Sequence, residues 1–196
     1  MKGGRRLSSV PSDVDCIRYL LDAGCKARVV IHCCTVRAVA DAICDGIEDA
    51  DRDLTVAGAL LHDIGRSVDH SIMHAYNGSC IVKDLGLPQS LVDIVRKHTG
   101  AGLDDDDVME LGLPSADYMP NTLEEKIVAH ADNMVSDNHV VPHTYSVYKL
   151  SSKGLYRGAE RIELLHRELS DLYGDDLDNI IDIIGEYPQL INLPDM

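Results

Sequence analysis

The chain has 196 residues, of which 45% are apolar and 26% charged, the usual proportions for a globular domain with a buried core. Its 33 acidic residues outnumber its 18 basic residues, so the formal net charge is −15. That field repels phosphate backbones and anionic lipids, and Trp and Phe are absent, so a nucleic-acid polymer or a membrane surface is disfavoured as a partner. No apolar run approaches the roughly 20 residues of a membrane span and no signal peptide is recognisable, so we expect a cytoplasmic protein.

Six cysteines occur at positions 16, 25, 33, 34, 44 and 80, without CxxC spacing. Reduced thiols that serve as small apolar core residues are the favoured interpretation, and a zinc site built from cysteines is the alternative. Both interpretations agree with a reducing, intracellular location.

Apolar residues recur with helical spacing from residue 12 onward, and no segment of useful length alternates with period two. The sequence therefore predicts an all-α fold: a single-domain helical bundle over residues 12–196, preceded by a flexible tail over residues 1–11. The core of the domain is expected at about 27–135, with C-terminal helices at about 146–186. In chain order, the predicted helices cover about 12–24, 27–44, 54–62, 72–85, 89–98, 123–135, 146–150, 159–173 and 178–186.

Residues that cap or separate these helices can also be predicted. Ser12 is the expected N-cap of the first helix, and Asn121 or Thr122 that of the sixth. The run from Asp104 to Asp107 is interpreted as a solvated acidic turn, and residues 136–145 as a loop.

The helix at about 54–62 is apolar nearly all round, which places it at the buried centre of the fold. It ends in His62 and Asp63, two strongly solvated side chains whose burial is costly unless a partner satisfies them. A metal cation would bind the imidazole nitrogen and the carboxylate oxygen together, and would take further ligands from other helices. Candidate ligands elsewhere in the chain are His32, His70, His74, His98 and Asp132.

The order His, His-Asp, Asp resembles the HD superfamily of metal-dependent phosphohydrolases. The segment 59–66, Ala-Leu-Leu-His-Asp-Ile-Gly-Arg, is similar to the HDIG form of the signature, with Arg66 where Lys is commoner. His74 and His98 extend the resemblance to the branch with two metals, which includes the bacterial symmetrical diadenosine tetraphosphate hydrolases. The chain also resembles small archaeal HDIG-domain proteins. The resemblance covers roughly residues 27–135, whereas the long segment 136–158 departs from the tetraphosphate hydrolases.

The resemblance implies that two divalent ions, chosen among Mn, Fe, Co, Ni and Zn, are bound by six residues: His32, His62, Asp63, His74, His98 and Asp132. Asp63 would belong to both ions. A hydroxide held by the ions would attack phosphorus, and Arg66 would neutralise a phosphate oxygen, so Asp63 and Arg66 are the predicted catalytic residues.

Several of these assignments have alternatives. A buried His32 could instead bond a backbone carbonyl, and His98 could interact with the dipole at the end of its helix. His70, four residues before His74, could replace it or support it as a neighbour. Arg66 could instead be an exposed loop residue paired with Asp69.

The remaining candidates lie outside the motif. Substrate contacts are considered for three basic residues: Lys97, Lys153 and Arg157. His130 is expected to be structural, and His139, His143 and His166 are expected at the surface.

The predicted function is hydrolysis of a phosphoester or phosphoanhydride bond in a nucleotide-like small molecule. A regulatory or ligand-binding module with a degenerate HD site is one alternative, and a dinuclear iron oxygenase of the same fold is another. The sequence leaves the oligomeric state open.

Overall fold

Nine α-helices and one short β-hairpin make up residues 9–184, the part of the chain that the computed structural model describes. The helices are α1 (Asp13–Asp22), α2 (Ala27–Gly46), α3 (Arg52–Leu61), α4 (His74–Asp84), α5 (Gln89–Lys97), α6 (Asp105–Glu110), α7 (Leu123–Asn133), α8 (His143–Ser151) and α9 (Tyr156–Tyr173). Two 3-10 turns cover Ile64–Ser67 and Leu177–Asp182, and β1 (Val135–Ser136) pairs antiparallel with β2 (His139–Val140). The all-α prediction is therefore confirmed.

Helix α3 lies at the centre of the bundle and packs against α1, α2, α5 and α7. All of its residues from Thr55 to Leu61 are buried, as its apolar sequence predicts. Gly58 allows a close approach of α5, because a Cβ at this position would lie 2.7 Å from a methyl carbon of Ile94. The end of α3, where the His-Asp pair follows, is therefore fixed by neighbours on several sides.

The predicted caps are found at both helices where they were expected. The Ser12 hydroxyl accepts a hydrogen bond from the backbone N–H of Asp15 at the start of α1. Thr122, rather than Asn121, caps α7, and Glu125 completes a reciprocal capping box there. Each cap satisfies backbone donors that have no partner inside the helix.

The acidic run is part of a helix, so the prediction of a solvated turn was wrong. Asp104 is the N-cap of α6, and its carboxylate accepts from the N–H of Asp107 while the Asp107 carboxylate accepts from the N–H of Asp104. Negative side chains also interact favourably with the positive end of the helix dipole. The charge that suggested a turn therefore helps to start a helix.

The predicted loop at 136–145 contains most of the hairpin and the start of α8. Each strand has two residues, too few to show an alternating pattern, and Asp137 turns the chain at a φ of 55°. Helix α8 begins at His143, directly after Pro142, and α9 begins at Tyr156, ahead of the predicted starts. Proline fixes an extended approach to a helix without needing a backbone donor.

The predicted last helix, at about 178–186, is a 3-10 turn where the chain is described, and its final residues lie outside the described part. Residues 1–8 of the predicted tail also lie outside it. Five of the six free cysteines are buried, as expected for small core residues, and Cys80 is exposed. Within residues 9–184, no helix has the length and apolar character needed to cross a membrane.

Candidate metal centre and the cavity above it

The carboxylate of Asp63 lies between two pairs of histidines. Its Oδ2 atom is 3.8 Å from Nε2 of His32 and 3.8 Å from Nε2 of His62. Its Oδ1 atom is 3.2 Å from Nε2 of His74 and 3.6 Å from Nε2 of His98. Each oxygen therefore faces its own pair of imidazole nitrogens, which is the arrangement needed for one carboxylate to bridge two cations.

All four of these histidines are oriented by a backbone carbonyl. The Nδ1 atoms bond Asp137 O, Ala59 O, Ser71 O and Val95 O at 2.6–2.7 Å, in the order His32, His62, His74 and His98. A carbonyl can only accept, so Nδ1 carries the proton in each neutral ring. The Nε2 atom of each ring is then the one that faces Asp63, as in metal-binding histidines with a supporting hydrogen bond on the other nitrogen.

Asp132, on α7, completes the first pair. Its Oδ1 atom is 3.0 Å from Nε2 of His32 and 3.6 Å from Nε2 of His62. Nε2 of His62 and Oδ1 of Asp63 are buried, and neither has an aligned hydrogen-bond partner in the described residues. Nε2 of His74 also lies 3.1 Å from Nε2 of His98. Buried nitrogen and oxygen atoms that lack a hydrogen-bond partner are suitable ligands for a divalent transition metal.

The electrostatics of the cluster keep its carboxylates charged. Burial alone would raise the pKa of Asp63, but the facing His62 ring and contacts from His74 and His98 hold it well below its ordinary value. Burial likewise opposes ionisation of Asp132, yet His32 and His62 hold its pKa well below the ordinary range. Burial would lower the pKa of His32, but the hydrogen bond to Asp132 raises it to about 9. A metal ion would therefore compete with a proton for His32.

Close backbone packing brings His74 to this cluster. A Cβ at Gly65 would lie 1.9 Å from the carbonyl oxygen of His74 and 2.5 Å from the backbone nitrogen of Gly78. The turn that follows Asp63 therefore rests directly on the start of α4. Glycine is required in the HDIG segment because no side chain fits between these two backbones.

Arg66, in the same turn, forms an ion pair with Oδ2 of Asp63 through its Nε atom. Its acidic partner is thus Asp63 and not the Asp69 of the alternative, and its side chain, about one-third exposed, lies at the edge of the cluster. Its NH1 atom is 3.5 Å from the carbonyl oxygen of His70. The guanidinium thus borders both the carboxylate and the space above it.

An open cavity of about 1060 Å³ lies above the cluster, with His32, Asp63 and Asp132 in its lining. This volume is slightly above that of most small-molecule sites, which span roughly 300–1,000 Å³. Its walls carry basic and aromatic side chains: Arg28, Arg66, Lys149, Arg157, Arg161, Tyr145 and Tyr156. Apart from the predicted metal ligands Asp63 and Asp132, the lining holds these five basic residues and three acidic ones, Asp107, Glu110 and Asp137.

The other predicted contacts are distributed unevenly. His70 and Arg157 line the cavity, whereas Lys153 is exposed and does not. Lys97 is buried away from the cavity, 3.2 Å from Glu125 and 2.9 Å from Asp117. Burial would lower the pKa of Lys97, but these two carboxylates raise it, as expected of a structural ion pair.

Sequence reasoning missed Arg28, Tyr145, Lys149, Tyr156 and Arg161 as cavity residues. Helical spacing was a usable signal, because Tyr145 and Lys149 are four residues apart on α8, as are Arg157 and Arg161 on α9. Arg161 also contacts Asp104 at 2.8 Å and pairs with Asp107, which ties α9 to α6 at the rim.

A second histidine cluster lies near the C-terminal end, so the prediction of surface positions for His143 and His166 was wrong. His143 is 7% exposed and His166 is 6% exposed. His130, expected to be structural, is fully buried with Nε2 3.1 Å from Nδ1 of His166. Burial lowers the pKa of His130 to about 3, so this ring is neutral at physiological pH. Lone histidines on polar helices gave no sign that the fold brings them together.

The HD domain family model matches residues 29–137, more than half of the chain. Two tRNA (cytidine(56)-2'-O)-methyltransferases are similar: that of Picrophilus torridus is 42% identical over 180 residues, or 92% of this chain and 52% of the relative. That of Thermoplasma volcanium is 39% identical over 177 residues, or 90% of this chain and 52% of the relative. The chain thus spans about half the length of these methyltransferases. An uncharacterised Methanocaldococcus jannaschii protein is 41% identical over 155 residues, or 76% of this chain and 91% of that protein.

Two crystal structures of the HD domain of the L. monocytogenes phosphodiesterase PgpH have a similar fold. The complex with cyclic-di-AMP has a TM-score of 0.54 and 19% identity, and covers 81% of this chain and 97% of that one. The other structure has a TM-score of 0.56 and 17% identity, and covers 87% of this chain and 98% of that one. These likenesses concern the fold. Since the family match spans all six predicted metal ligands, the chain belongs to the HD-domain family.

Proposed function

We propose that this protein is a metal-dependent phosphohydrolase that cleaves a phosphoester or phosphoanhydride bond of a nucleotide-like small molecule. One observation carries the proposal: the two oxygens of Asp63 face two separate pairs of histidine Nε2 atoms. A single ion-pairing role for Asp63 would not require four oriented imidazoles. The membership in the HD-domain family and the fold of a phosphodiesterase domain add support.

Six residues would hold one or two divalent ions: His32, His62, Asp63, His74, His98 and Asp132. Ions bound there would lower the pKa of a coordinated water and neutralise charge on a phosphate. The protein keeps both carboxylates ionised and orients all four rings through their Nδ1 atoms, so the ligands need little reorganisation apart from the loss of a proton from His32. Three ligands line the cavity and three lie behind them, so a substrate can approach from only one side.

Arg66 would bind a non-bridging phosphate oxygen of the substrate. Its Nε atom pairs with Asp63 and its NH1 atom makes a long contact of 3.5 Å to the His70 carbonyl oxygen, while the side chain lines the cavity. A planar guanidinium can donate two parallel hydrogen bonds to a phosphate, so it would fix orientation as well as charge. Asp63 would thus position Arg66 in addition to binding metal.

The upper cavity would hold the rest of the substrate. Tyr145 and Tyr156 offer aromatic faces for a base, and Lys149 offers a further positive charge. The volume suits a nucleotide or dinucleotide but not a folded polymer. The net charge of −15 also opposes the binding of long polyanions, so we propose a small molecule as the partner. We propose the reducing cytoplasm as its location.

The experiment is a substrate screen with metal-defined full-length chain. Protein stripped by a chelator would be loaded separately with Mn, Fe, Co, Ni or Zn, then incubated with mononucleotides, cyclic nucleotides and dinucleoside polyphosphates. We expect phosphate-bond cleavage that depends on metal and disappears in Asp63→Ala. Metal binding without any cleavage would instead support a ligand-binding module, and oxygen consumption with iron would support an oxygenase.

Methyl transfer to tRNA is a second candidate, because two similar proteins bear that name. Their activity belongs to proteins about twice the aligned length, and the buried histidine and carboxylate cluster suits cations and phosphate chemistry better. A direct assay would incubate the chain with unmodified tRNA and a methyl donor. Methylated tRNA would replace the hydrolase proposal, whereas tRNA binding without methylation would indicate an accessory role beside a methyltransferase.

A further inference from the structure

The second histidine cluster joins three C-terminal elements. His143 begins α8, His166 lies on α9, and Asp178 lies in the 3-10 turn Leu177–Asp182. One donor atom from each of these residues lies within 4.8 Å of the other two. The two histidines are buried and Asp178 is partly buried, so this is an enclosed set of ligand-type atoms outside the HD centre.

Too many acceptors face the histidine nitrogens for neutral rings. Nδ1 of His143 is 3.0 Å from Asp178 Oδ2, and its Nε2 is 3.4 Å from Glu163 Oε2. A neutral imidazole has one N–H, so one of these nitrogens presents a lone pair to a carboxylate. Nε2 of His166 lies 3.2 Å from Asp176 Oδ1, so a third carboxylate faces the pair of rings.

Protonating both rings is an unfavourable way to resolve this. The His143 and His166 rings stack with centroids 3.5 Å apart and planes 13° from parallel. Two stacked imidazolium ions would repel one another at that distance. The two imidazoles and the facing carboxylates together form a set of nitrogen and oxygen atoms that suits a metal cation.

We propose that His143, His166 and Asp178 form a second binding site for a transition-metal ion, with Zn²⁺ as the best-fitting ion. Two imidazoles and a carboxylate are a common ligand set for zinc, which adds a water or another carboxylate as the fourth ligand. Asp176 and Glu163 lie close enough to supply it. Nδ1 of His166 lies 3.1 Å from Nε2 of His130, so Nε2 is the His166 nitrogen on the side of Asp176.

An ion can reach this site from solvent. A cleft of about 610 Å³ opens over the cluster, and four carboxylates lie in its lining: Glu163, Asp171, Asp175 and Asp176. Such a rim raises the local concentration of cations. Binding requires the stacked rings to rotate, because their in-plane lone pairs are parallel, and both rings border the cleft.

The ion would link α8 and α9 to the 3-10 turn that follows them. Lys149 on α8 and Arg161 on α9 line the cavity above the HD centre. A cross-link at the far ends of these helices would hold that wall in place. The site is thus a structural clamp, and its existence does not depend on the proposed hydrolysis.

Zinc content and zinc-dependent melting test the site. Full-length protein would be titrated with Zn²⁺ against a chromophoric chelator and counted by elemental analysis. We expect the double variant His143→Gln, His166→Gln to lose one zinc equivalent. In Asp63→Ala, where the HD centre is impaired, added Zn²⁺ should still raise Tm, and this rise should vanish when His166→Gln is added.

Matched variants distinguish the loss of the zinc site from misfolding of the protein. His139→Gln removes an exposed histidine on β2 and should retain full zinc content. Asp178→Asn keeps an oxygen that can accept the 2.9 Å hydrogen bond from the His143 backbone N–H, but it removes the negative charge. This variant should weaken the affinity for zinc at least tenfold. With Co²⁺ bound, the same variant should shift the visible absorption bands. Unchanged zinc number and affinity in both the double variant and Asp178→Asn would overturn the site, as would equal loss in His139→Gln.

Discussion

The two histidine clusters use the same side chains but orient them differently. In the HD centre, the Nδ1 atom of each histidine is bonded to a backbone carbonyl at 2.6–2.7 Å. In the C-terminal cluster, the nitrogens of His143 face two carboxylates, and His166 contacts His130 and Asp176. Backbone partners fix a tautomer before any metal arrives, whereas side-chain partners can rotate. The comparison indicates a preorganised centre for chemistry and an adaptable one for structure.

The two clusters also differ in the charge of the side chains around them. The HD centre forms the floor of a cavity whose lining holds five basic residues and, apart from Asp63 and Asp132, three acidic ones, so cations bound at the centre would make it suit an anionic substrate. The C-terminal cluster lies under a cleft whose lining holds four carboxylates and Arg167 as its one Lys or Arg residue among those described. A phosphate would be repelled there, while a cation would be attracted. Variants of the first cluster should therefore affect catalysis, and variants of the second should affect metal content and stability.

Asp63→Ala tests the comparison with the largest expected effect. The change removes the carboxylate that faces all four histidines, so both metal positions and the anchor of Arg66 are lost together. We expect turnover to fall by more than the roughly 10–100-fold typical of residues that only support a ligand. Steady-state rates and metal analysis on the same samples measure the effect, with His139→Gln as the control. Full turnover in Asp63→Ala would refute the assignment of the site.

His74→Ala should separate the two halves of the HD centre. His74 contacts Oδ1 of Asp63, the oxygen away from His32 and His62, so its loss should weaken one metal position more than the other. We expect about one equivalent of metal to remain, with a loss of turnover in the range of roughly 10–100-fold. Elemental analysis at increasing metal concentration distinguishes the positions. Two equally tight ions in the variant would make His74 a bystander.

The HD centre could be predicted from sequence, and the C-terminal cluster could not. His62, Asp63 and Asp132 stand in apolar helices, where a charged or polar side chain is conspicuous because burial is costly. His143 and His166 stand among polar residues, and their burial depends on how α8 and α9 pack. Helix α6 was missed for a related reason, since its capping box requires knowledge of which Asp oxygen meets which backbone N–H. Local pattern predicts elements, but long-range packing decides which side chains meet.

Arg66→Gln should sharpen the distinction between metal binding and substrate binding. The change removes a charged donor but no predicted metal ligand, so metal content should be retained. A hydrogen bond to a charged group contributes about 1.5–3 kcal/mol, which corresponds to roughly a 10–150-fold fall in kcat/KM. Kinetics with the best substrate from the screen would measure the loss, and Arg66→Lys should restore only part of it because the planar fork is absent. Loss of metal along with activity would mean that Arg66 supports the centre itself.

Two arginines on α9 offer the finest comparison, because this helix connects the cavity wall to the C-terminal cluster. Arg161 has an 18% exposed side chain and reaches Asp104 and Asp107, whereas Arg157 is 48% exposed and reaches Asp106, Asp107 and Glu110. Burial reduces solvent screening, so Arg161→Gln should destabilise the fold by about 1 kcal/mol or less, and Arg157→Gln by a smaller amount. Urea unfolding at low and high KCl would measure both. Salt screens the ion pairs, so KCl should reduce the difference in unfolding free energy between each variant and the wild type. Salt also screens the repulsion among the surplus acids, so the wild-type protein itself should keep or gain stability. Equal losses of unfolding free energy in both variants, unchanged by KCl, would show that packing and not charge joins α6 to α9.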